Sequence, residues 1–331
     1  PENVERVDEL ADCGVVGFKA FMCASGIDDF TAADDFTLWQ GMQVAARLGL
    51  PVAVHAENDA LTQGLASAAI KAGRRGARDF LASRPVIAEL EAIEHAIRLA
   101  DEAHCSLHIV HVSCGAGVAL VVEARKRGAD VTCETCPHYL VLSAEDVERL
   151  GAVAKCAPPL RTREEQESLW RSLEHGDIEL IASDHSPSPP SMKQGDDFFA
   201  VWGGIAGCQT TLGLLLEEGV ERRGLPLAQI VNLVTRRPAQ RFGLTQKGRL
   251  EVGADADLAL VDMSRSTMLA EDALRYRHRI SPYLGRRLRG EVRRTIVRGR
   301  TIYGEGSTTP VPTGRLVRPS PRSTTKPGAA V

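Results

Sequence analysis

The sequence lacks any long, uninterrupted apolar run. None of its apolar stretches approaches the roughly 20 residues that a membrane-spanning helix needs, so we expect no membrane partner. The opening segment, PENVERVDELADCG, also lacks the basic stretch and apolar core of a signal peptide. The chain does not begin with Met and opens close to a predicted helix, so we expect it to be a piece of a longer chain.

A strong excess of charge of one sign is also missing. The formal net charge is only -3 over 331 residues, which argues against a protein that binds polyanions as a whole. One basic cluster does occur, and we interpret it as a solvated face rather than a nucleic-acid site. Its members are Arg286, Arg287, Arg289, Arg293 and Arg294. We therefore predict no nucleic-acid partner.

The eight cysteines form no recognisable disulfide framework. Cys133 and Cys136 make a lone C-x-x-C, and without a second pair a dedicated zinc site there is not favoured. Thiols scattered along a chain of this length suit a reducing compartment, so we predict a cytoplasmic protein.

Short apolar segments that alternate with helical patterns dominate the first two thirds of the chain. The five segments are VVGFKAFM, LPVAVHAEN, SLHIVHVS, ADVTCETCP and IELIASDHSP. Nearly continuous apolar strands separated by helices indicate an α/β fold whose parallel sheet is buried on both faces. The composition, 44% hydrophobic and 25% charged, is that of an ordinary globular protein.

The pattern changes near residue 243. The segments GRLEVGADADLALVD and VRRTIVRGRTIYGEG predict turn-linked strands of a smaller β unit. The last stretch is rich in Ser, Thr, Pro and Gly, which is typical of disorder. We therefore divide the chain into a β/α part at 1–243, a β part at 244–303 and a disordered tail at 304–331.

Four of the five predicted strands end in a residue that could bind a metal ion: Lys19, His55, His111 and Asp184. Functional residues of parallel barrels cluster at the carboxyl ends of the strands, so we expect these side chains to lie together. Imidazole nitrogen and carboxylate oxygen suit zinc and similar ions, which lower the pKa of bound water toward ~7. Asp184 beside such a water could act as a general base.

Each of these residues also has a simpler interpretation. Lys19 could end its strand and reach solvent, His55 could be a satisfied core histidine, and Asp184 could cap a turn. His108 lies three residues before His111, and we interpret it as structural.

Several motifs occur together in a fixed order: GFKAFM, VAVHAEN, LHIVHVS, CPHYL, KCAPPLR, SDHSP, WGGIAG and GADADLALVD. With them, the chain resembles the cyclic-amide hydrolases of the amidohydrolase superfamily from about residue 1 to residue 303, and most closely their allantoin-hydrolysing branch. The resemblance implies a (β/α)8 TIM-type barrel with a small C-terminal β-sandwich part. The five strands would be the fourth to eighth of that barrel, and the first three would be absent.

The resemblance also implies a site. Lys19 would be carboxylated and would bridge two divalent metal ions, for which zinc is the candidate. His55 and His111 would bind the second metal, and Asp184 would bind the first and act as base while a bridging hydroxide attacks the ring amide of allantoin. Substrate contacts would come from four residues: Cys156, Ala157, Gly203 and Gly204. Relatives are commonly homotetramers.

Two alternatives remain open at this point. A hydantoinase or dihydropyrimidinase would act on a related ring. A catalytically inactive scaffold of the same fold is the second alternative, because the first metal of the family also needs a His-x-His pair and this sequence contains none.

Overall fold

The structure is a computed structural model that describes residues 3–304, 312 and 314–320. Its strands are β1 (Phe18–Phe21), β2 (Val52–His55), β3 (Leu107–Ile109), β4 (Val131–Thr135), β5 (Leu180–Ile181), β6 (Leu258–Met268), β7 (Arg287–Val297) and β8 (Arg300–Gly304). Its α-helices are α1 (Val7–Asp12), α2 (Asp35–Leu48), α3 (Asp59–Lys71), α4 (Ala77–Ala82), α5 (Val86–Glu102), α6 (Gly115–Lys126), α7 (Pro137–Val141), α8 (Ala144–Leu150), α9 (Arg163–Glu174), α10 (Thr211–Leu215), α11 (Leu227–Val234) and α12 (Arg236–Arg241). A π-helical segment, Leu216–Arg222, follows α10.

The first five strands form one parallel sheet in the order β1-β2-β3-β4-β5. Each apolar segment of the sequence contributes one of these strands, as predicted. Lys19 is in register with Ala53, and Phe21 with His55, so the first two strands end at the same level. Because all strands run in the same direction, their carboxyl ends share one edge of the sheet, where the polar residues of the sequence follow.

The helices between the strands bury one apolar face each. In α2 the buried residues are Leu38, Met42 and Ala45, and in α5 they include Ile93 and Ile97. This spacing of three to four residues is that of a helix packed on a sheet. Both helices follow the periodicity of the sequence.

The glycines of the HVSCGAG segment serve packing at the start of α6. A Cβ at Gly115 would lie 2.2 Å from Ser168 Oγ of α9, and one at Gly117 would lie 2.9 Å from Val112 Cγ1. Only residues without a side chain allow these helices to approach so closely.

The last three strands form a separate antiparallel sheet in the order β6-β7-β8. Its first strand begins at Leu258, later than the motif GRLEVGADADLALVD predicts. Arginines of the basic cluster are matched by carboxylates of the preceding helical region. Arg289 pairs with Glu221, and Arg286 Nη1 lies 3.8 Å from Glu218 Oε1.

The domain boundaries at 243 and 303 stay a prediction. Within the segment predicted to be disordered, Ser320 N donates to Gly243 O at 2.9 Å and Arg318 Nη1 donates to Asp12 O at 2.9 Å. Residues 305–311, 313 and 321–331 lie outside the described residues. Over the described part of the chain, none of the helices has the length and apolarity needed to cross a membrane.

Candidate metal centre

A cavity of about 660 Å³ opens at the carboxyl ends of the parallel strands. All eight residues singled out in the sequence line it, namely Lys19, His55, His111, Cys156, Ala157, Asp184, Gly203 and Gly204. The structure therefore brings together side chains that are up to 185 positions apart in the chain. Their individual roles stay predictions.

The two histidines contact each other through their ring nitrogens. Nδ1 of His55 lies 3.0 Å from Nε2 of His111, and both side chains are buried. The other nitrogen of His55, Nε2, lies 2.9 Å from Glu57 Oε2. In the neutral form of His55, a carboxylate at Nε2 favours the proton there, which leaves Nδ1 as the nitrogen with a free lone pair.

The environment shifts the pKa values of the two imidazoles in opposite directions. Burial opposes a charge on His55, but hydrogen bonds to Cys23 and Glu57 outweigh burial and raise its pKa to about 9. Burial and the neighbouring His55 and Lys19 hold the pKa of His111 well below its usual value. The charged form is therefore favoured on His55 rather than on His111.

One ring nitrogen of His111 lacks a hydrogen-bond partner within the described part of the chain. Its Nδ1 is buried and has no hydrogen-bond partner among the described residues. Buried polar atoms are normally paired, so an orphaned nitrogen beside a converging pair of imidazoles fits a metal-binding donor set.

Backbone strain also concentrates at the cavity. The non-glycine residues with positive φ in the described backbone are His104, His111, Asp184 and Arg298, and two of them line the cavity. The φ angles are 43° for His111 and 42° for Asp184. Such angles are uncommon without glycine and gather at functional sites, where the surrounding structure holds them.

Lys19 and Asp184 both line the cavity, and the charge of each acts on the pKa of the other. Both keep solvent contact, but the surrounding protein still desolvates them. Burial lowers the pKa of Lys19 to about 8, against the opposing effects of Asp184, Cys23 and Glu134. Burial and the charge of Glu134 raise the pKa of Asp184, while His55 and Lys19 lower it. The Lys19 Nζ lies 3.7 Å from the centroid of the Phe21 ring.

Sequence reasoning missed the acid that ends the remaining strand. Glu134 of β4 lines the cavity, and its Oε2 lies 3.1 Å from Nε2 of the buried His108. The Nδ1 of His108 lies 2.7 Å from Thr132 Oγ1, so both of its nitrogens are engaged within the sheet. The signal that found Lys19, a charged residue inside an apolar strand, also marks Glu134.

Two buried ion pairs hold groups that lie next to the histidines. Arg84 pairs with Glu57, the carboxylate that orients His55. Glu89 accepts from Ser113 N at 2.8 Å, two residues after His111, and pairs with Arg161 at 3.0 Å. These bonds hold the backbone just after His111, at Ser113.

A trio of donor atoms from Cys23, His55 and Glu57 also lies within 4.8 Å. Two of these donors are already engaged, since His55 Nε2 contacts Glu57, which pairs with Arg84. The adjacent guanidinium opposes a cation at this position. Nδ1 of His55 and Nε2 of His111, which lie 3.0 Å apart on two cavity-lining residues, form the other candidate pair of donors.

Two further histidines near the cavity have different environments. His138 is buried, neither of its ring nitrogens has a partner among the described residues, and burial lowers its pKa to about 3. His185, next to Asp184, accepts a hydrogen bond at Nδ1 from Gly207 N at 3.1 Å. The thiols of Cys133 and Cys136 are buried, which raises their pKa and opposes the thiolate that binds zinc.

Comparison with known proteins identifies the family. The model of the Amidohydrolase family matches residues 25–302. An allantoinase of Rubrobacter xylanophilus is 60% identical over 319 residues, which cover 96% of this chain and 70% of that protein. An allantoinase of Deinococcus radiodurans is 53% identical, with 96% of this chain and 71% of that protein covered.

Solved structures agree with this result. The L-hydantoinase (dihydropyrimidinase) of Arthrobacter aurescens superposes with a TM-score of 0.89 at 37% identity, covering 92% of this chain and 68% of that chain. The α/β fold of TIM-barrel type expected from the sequence is thereby confirmed, as is the resemblance to cyclic-amide hydrolases. The chain belongs to the amidohydrolase family.

Proposed function

We propose that this protein hydrolyses the cyclic amide of the hydantoin ring of allantoin and releases allantoate. The observation that carries the proposal is the 3.0 Å approach of His55 Nδ1 to His111 Nε2 on the wall of a cavity that also contains Lys19 and Asp184. The choice of allantoin is supported by relatives named allantoinase at 60% and 53% identity.

We assign metal binding to Lys19, His55, His111 and Asp184, which would hold two divalent ions, zinc being the candidate, with Lys19 in a carboxylated form. Bound divalent ions would lower the pKa of a water molecule and polarise the amide carbonyl. Carboxylation joins carbon dioxide to a neutral amine, and a Lys19 pKa near 8 leaves more neutral amine than an ordinary lysine has.

Asp184 is the proposed general base. It would accept a proton from the attacking water and deliver it to the ring nitrogen as the carbon–nitrogen bond breaks. Its raised pKa makes it a stronger proton acceptor than an ordinary aspartate, which suits this role.

The substrate ring would lie against the segment that contains Cys156 and Ala157. Since the side chain at 157 is a methyl group, this position can hydrogen-bond the ring imide only through its backbone. Gly203 and Gly204 form the adjacent wall, where Gly204 N donates to Lys155 O at 2.7 Å. A Cβ at Gly204 would lie 2.5 Å from Ser186 Oγ, so this wall requires glycine.

The hydantoinase alternative rests on structural neighbours such as the L-hydantoinase of Arthrobacter aurescens, which is 37% identical. Turnover of allantoin, hydantoin and dihydrouracil by the complete gene product separates the two. We expect allantoin to give the highest kcat/KM. A preference for either unsubstituted ring would replace our proposal by the alternative, and no turnover of any ring by metal-loaded protein would favour the inactive scaffold.

Three finer properties are proposed on the resemblance and the composition. We expect a role in purine catabolism, a homotetramer and a cytoplasmic location. Light scattering of the purified complete gene product measures the assembly, and fractionation of cells measures the location.

A further inference from the structure

Lys155 occupies an unusual position beside the candidate site. It precedes Cys156, lines the same cavity and is 6% exposed. Its Nζ lies 4.6 Å from the centroid of the Phe80 ring and 5.7 Å from that of Phe198. A lysine this buried among aromatic rings calls for hydrogen-bond acceptors, because an unpaired charge away from water is costly.

Within the described residues, the hydrogen-bond acceptor of this ammonium is Val201 O, at 2.5 Å. An ammonium carries three N–H donors, so two remain for whatever enters the cavity. The negative charge of Asp197 acts on Lys155, but Asp197 already pairs with Arg75.

Lys193 provides the contrast within the same region. Its Nζ donates to three backbone carbonyls, Ala152 O at 2.9 Å, Gly204 O at 2.7 Å and Trp202 O at 3.3 Å. All three N–H donors of Lys193 are used, so this side chain connects the segment at Ala152 to the segment at 202–204. Lys155, with one backbone acceptor, is instead equipped to bind a ligand.

The chemistry of the ligand follows from the surroundings. Burial and the positive charges of Arg84 and Lys193 lower the pKa of Lys155 to about 8, so the ammonium persists at neutral pH but is poorly solvated. A strong hydrogen-bond acceptor can pair with it in this space. The urea carbonyl of a ureido group has this character, whereas hydantoin and dihydrouracil carry no substituent of this kind.

We propose that Lys155 is a specificity-determining residue that recognises the ureido substituent of the substrate by donating hydrogen bonds to its carbonyl oxygen. The inference rests on the proposed function, since it assumes that the ring lies beside Cys156. It adds that selection between allantoin and unsubstituted rings occurs at the substituent, away from the metal ligands.

The test compares wild-type complete gene product with Lys155→Met, which keeps the length and apolar stem of the side chain. We expect kcat/KM for allantoin to fall about 10- to 100-fold, the usual cost of losing a hydrogen bond from a charged donor. The loss should reside mainly in KM. The inhibition constant of hydantoin, measured against allantoin turnover, should stay within about threefold, because hydantoin lacks the group that Lys155 contacts.

Parallel losses for allantoin and hydantoin would show a general defect of the cavity and would overturn the proposal, as would an unchanged KM for allantoin. Lys155→Leu, which also has no hydrogen-bond donor, replaces Lys155→Met if the latter does not fold, and the same criteria apply to it. If wild-type protein loaded with zinc does not hydrolyse allantoin, the proposed function fails instead, so the two failures are distinguishable.

Discussion

His55, at the end of β2, and His111, just after the neighbouring β3, place one ring nitrogen each at a separation of 3.0 Å in the cavity wall. Glu57 holds the other nitrogen of His55 at 2.9 Å, and Arg84 holds Glu57. The ring of His55 is therefore oriented through Nε2 by a buried carboxylate.

Replacing Glu57 should weaken metal binding without touching the metal ligands. In Glu57→Gln, the amide no longer favours a proton on His55 Nε2 through a charged hydrogen bond. We expect zinc affinity to fall about 10- to 100-fold, as for other carboxylates behind metal-binding histidines. Competition with a chelator measures it. Glu217→Gln is the matched control: Glu217 is also buried and ion-paired, 3.4 Å from Arg222, but it does not line the cavity. An equal loss of affinity in both variants would contradict the positioning role.

Removing the amine of Lys19 should remove the carbamate. We expect Lys19→Ala in the complete gene product to abolish allantoin hydrolysis. Added short carboxylic acids should restore part of the activity, because a free carboxylate can take the place of the carbamate. Near-normal turnover of Lys19→Ala without additives would show that the carbamate assignment is wrong. Exposure of Lys19 to the cavity gives the added acid access.

Asp184→Asn tests the proposed base. Asparagine preserves the shape of the side chain but cannot accept the proton, and general base catalysis contributes typically ~10²–10⁴-fold. We expect kcat to fall at least ~10³-fold, within that range, with the circular dichroism spectrum unchanged. If the variant kept its metal ions and turned over allantoin within about tenfold of wild type, well inside the usual loss, another group such as His138 or His185 would have to be the base.

Lys193 should give the stability of the protein a recognisable pH dependence. Burial lowers its pKa to about 8 from 10.5, so between these values the unfolded chain binds more protons than the folded one. By linkage, the contribution of Lys193 to the free energy of unfolding rises with pH from about 8 to about 10.5. The stability difference between wild type and Lys193→Met, measured by urea unfolding, should shift in favour of wild type over this range. A constant difference would mean that the pKa of Lys193 is not lowered.

The parts of the fold that follow from the sequence are those with a local signal. The alternation of apolar segments and helical patterns predicts β1 to β5, and the polar residues after them predict which side chains share the cavity. Lys19 stood out because a lysine in an apolar strand needs a reason. The strained φ angles of His111 and Asp184 have no such signature, since they arise from tertiary contacts.

Partners from distant segments could not be predicted from local patterns. Glu57 is two residues from His55, but Arg84, which holds it, comes from the segment after α4. Glu89 and Arg161 meet at Ser113 only because three separate segments fold together. The role proposed for Lys155 depends on which acceptors surround its Nζ, a property of the folded cavity.

The most direct test of the central claim is a crystal of the complete gene product grown with zinc and measured at the zinc absorption edge. We predict an anomalous peak in the cavity within about 2.0–2.1 Å of both His55 Nδ1 and His111 Nε2, the usual zinc–nitrogen distance. No peak between these two nitrogens at saturating zinc, or a peak among Cys23, His55 Nε2 and Glu57 instead, would contradict the assignment of this cavity as the metal centre.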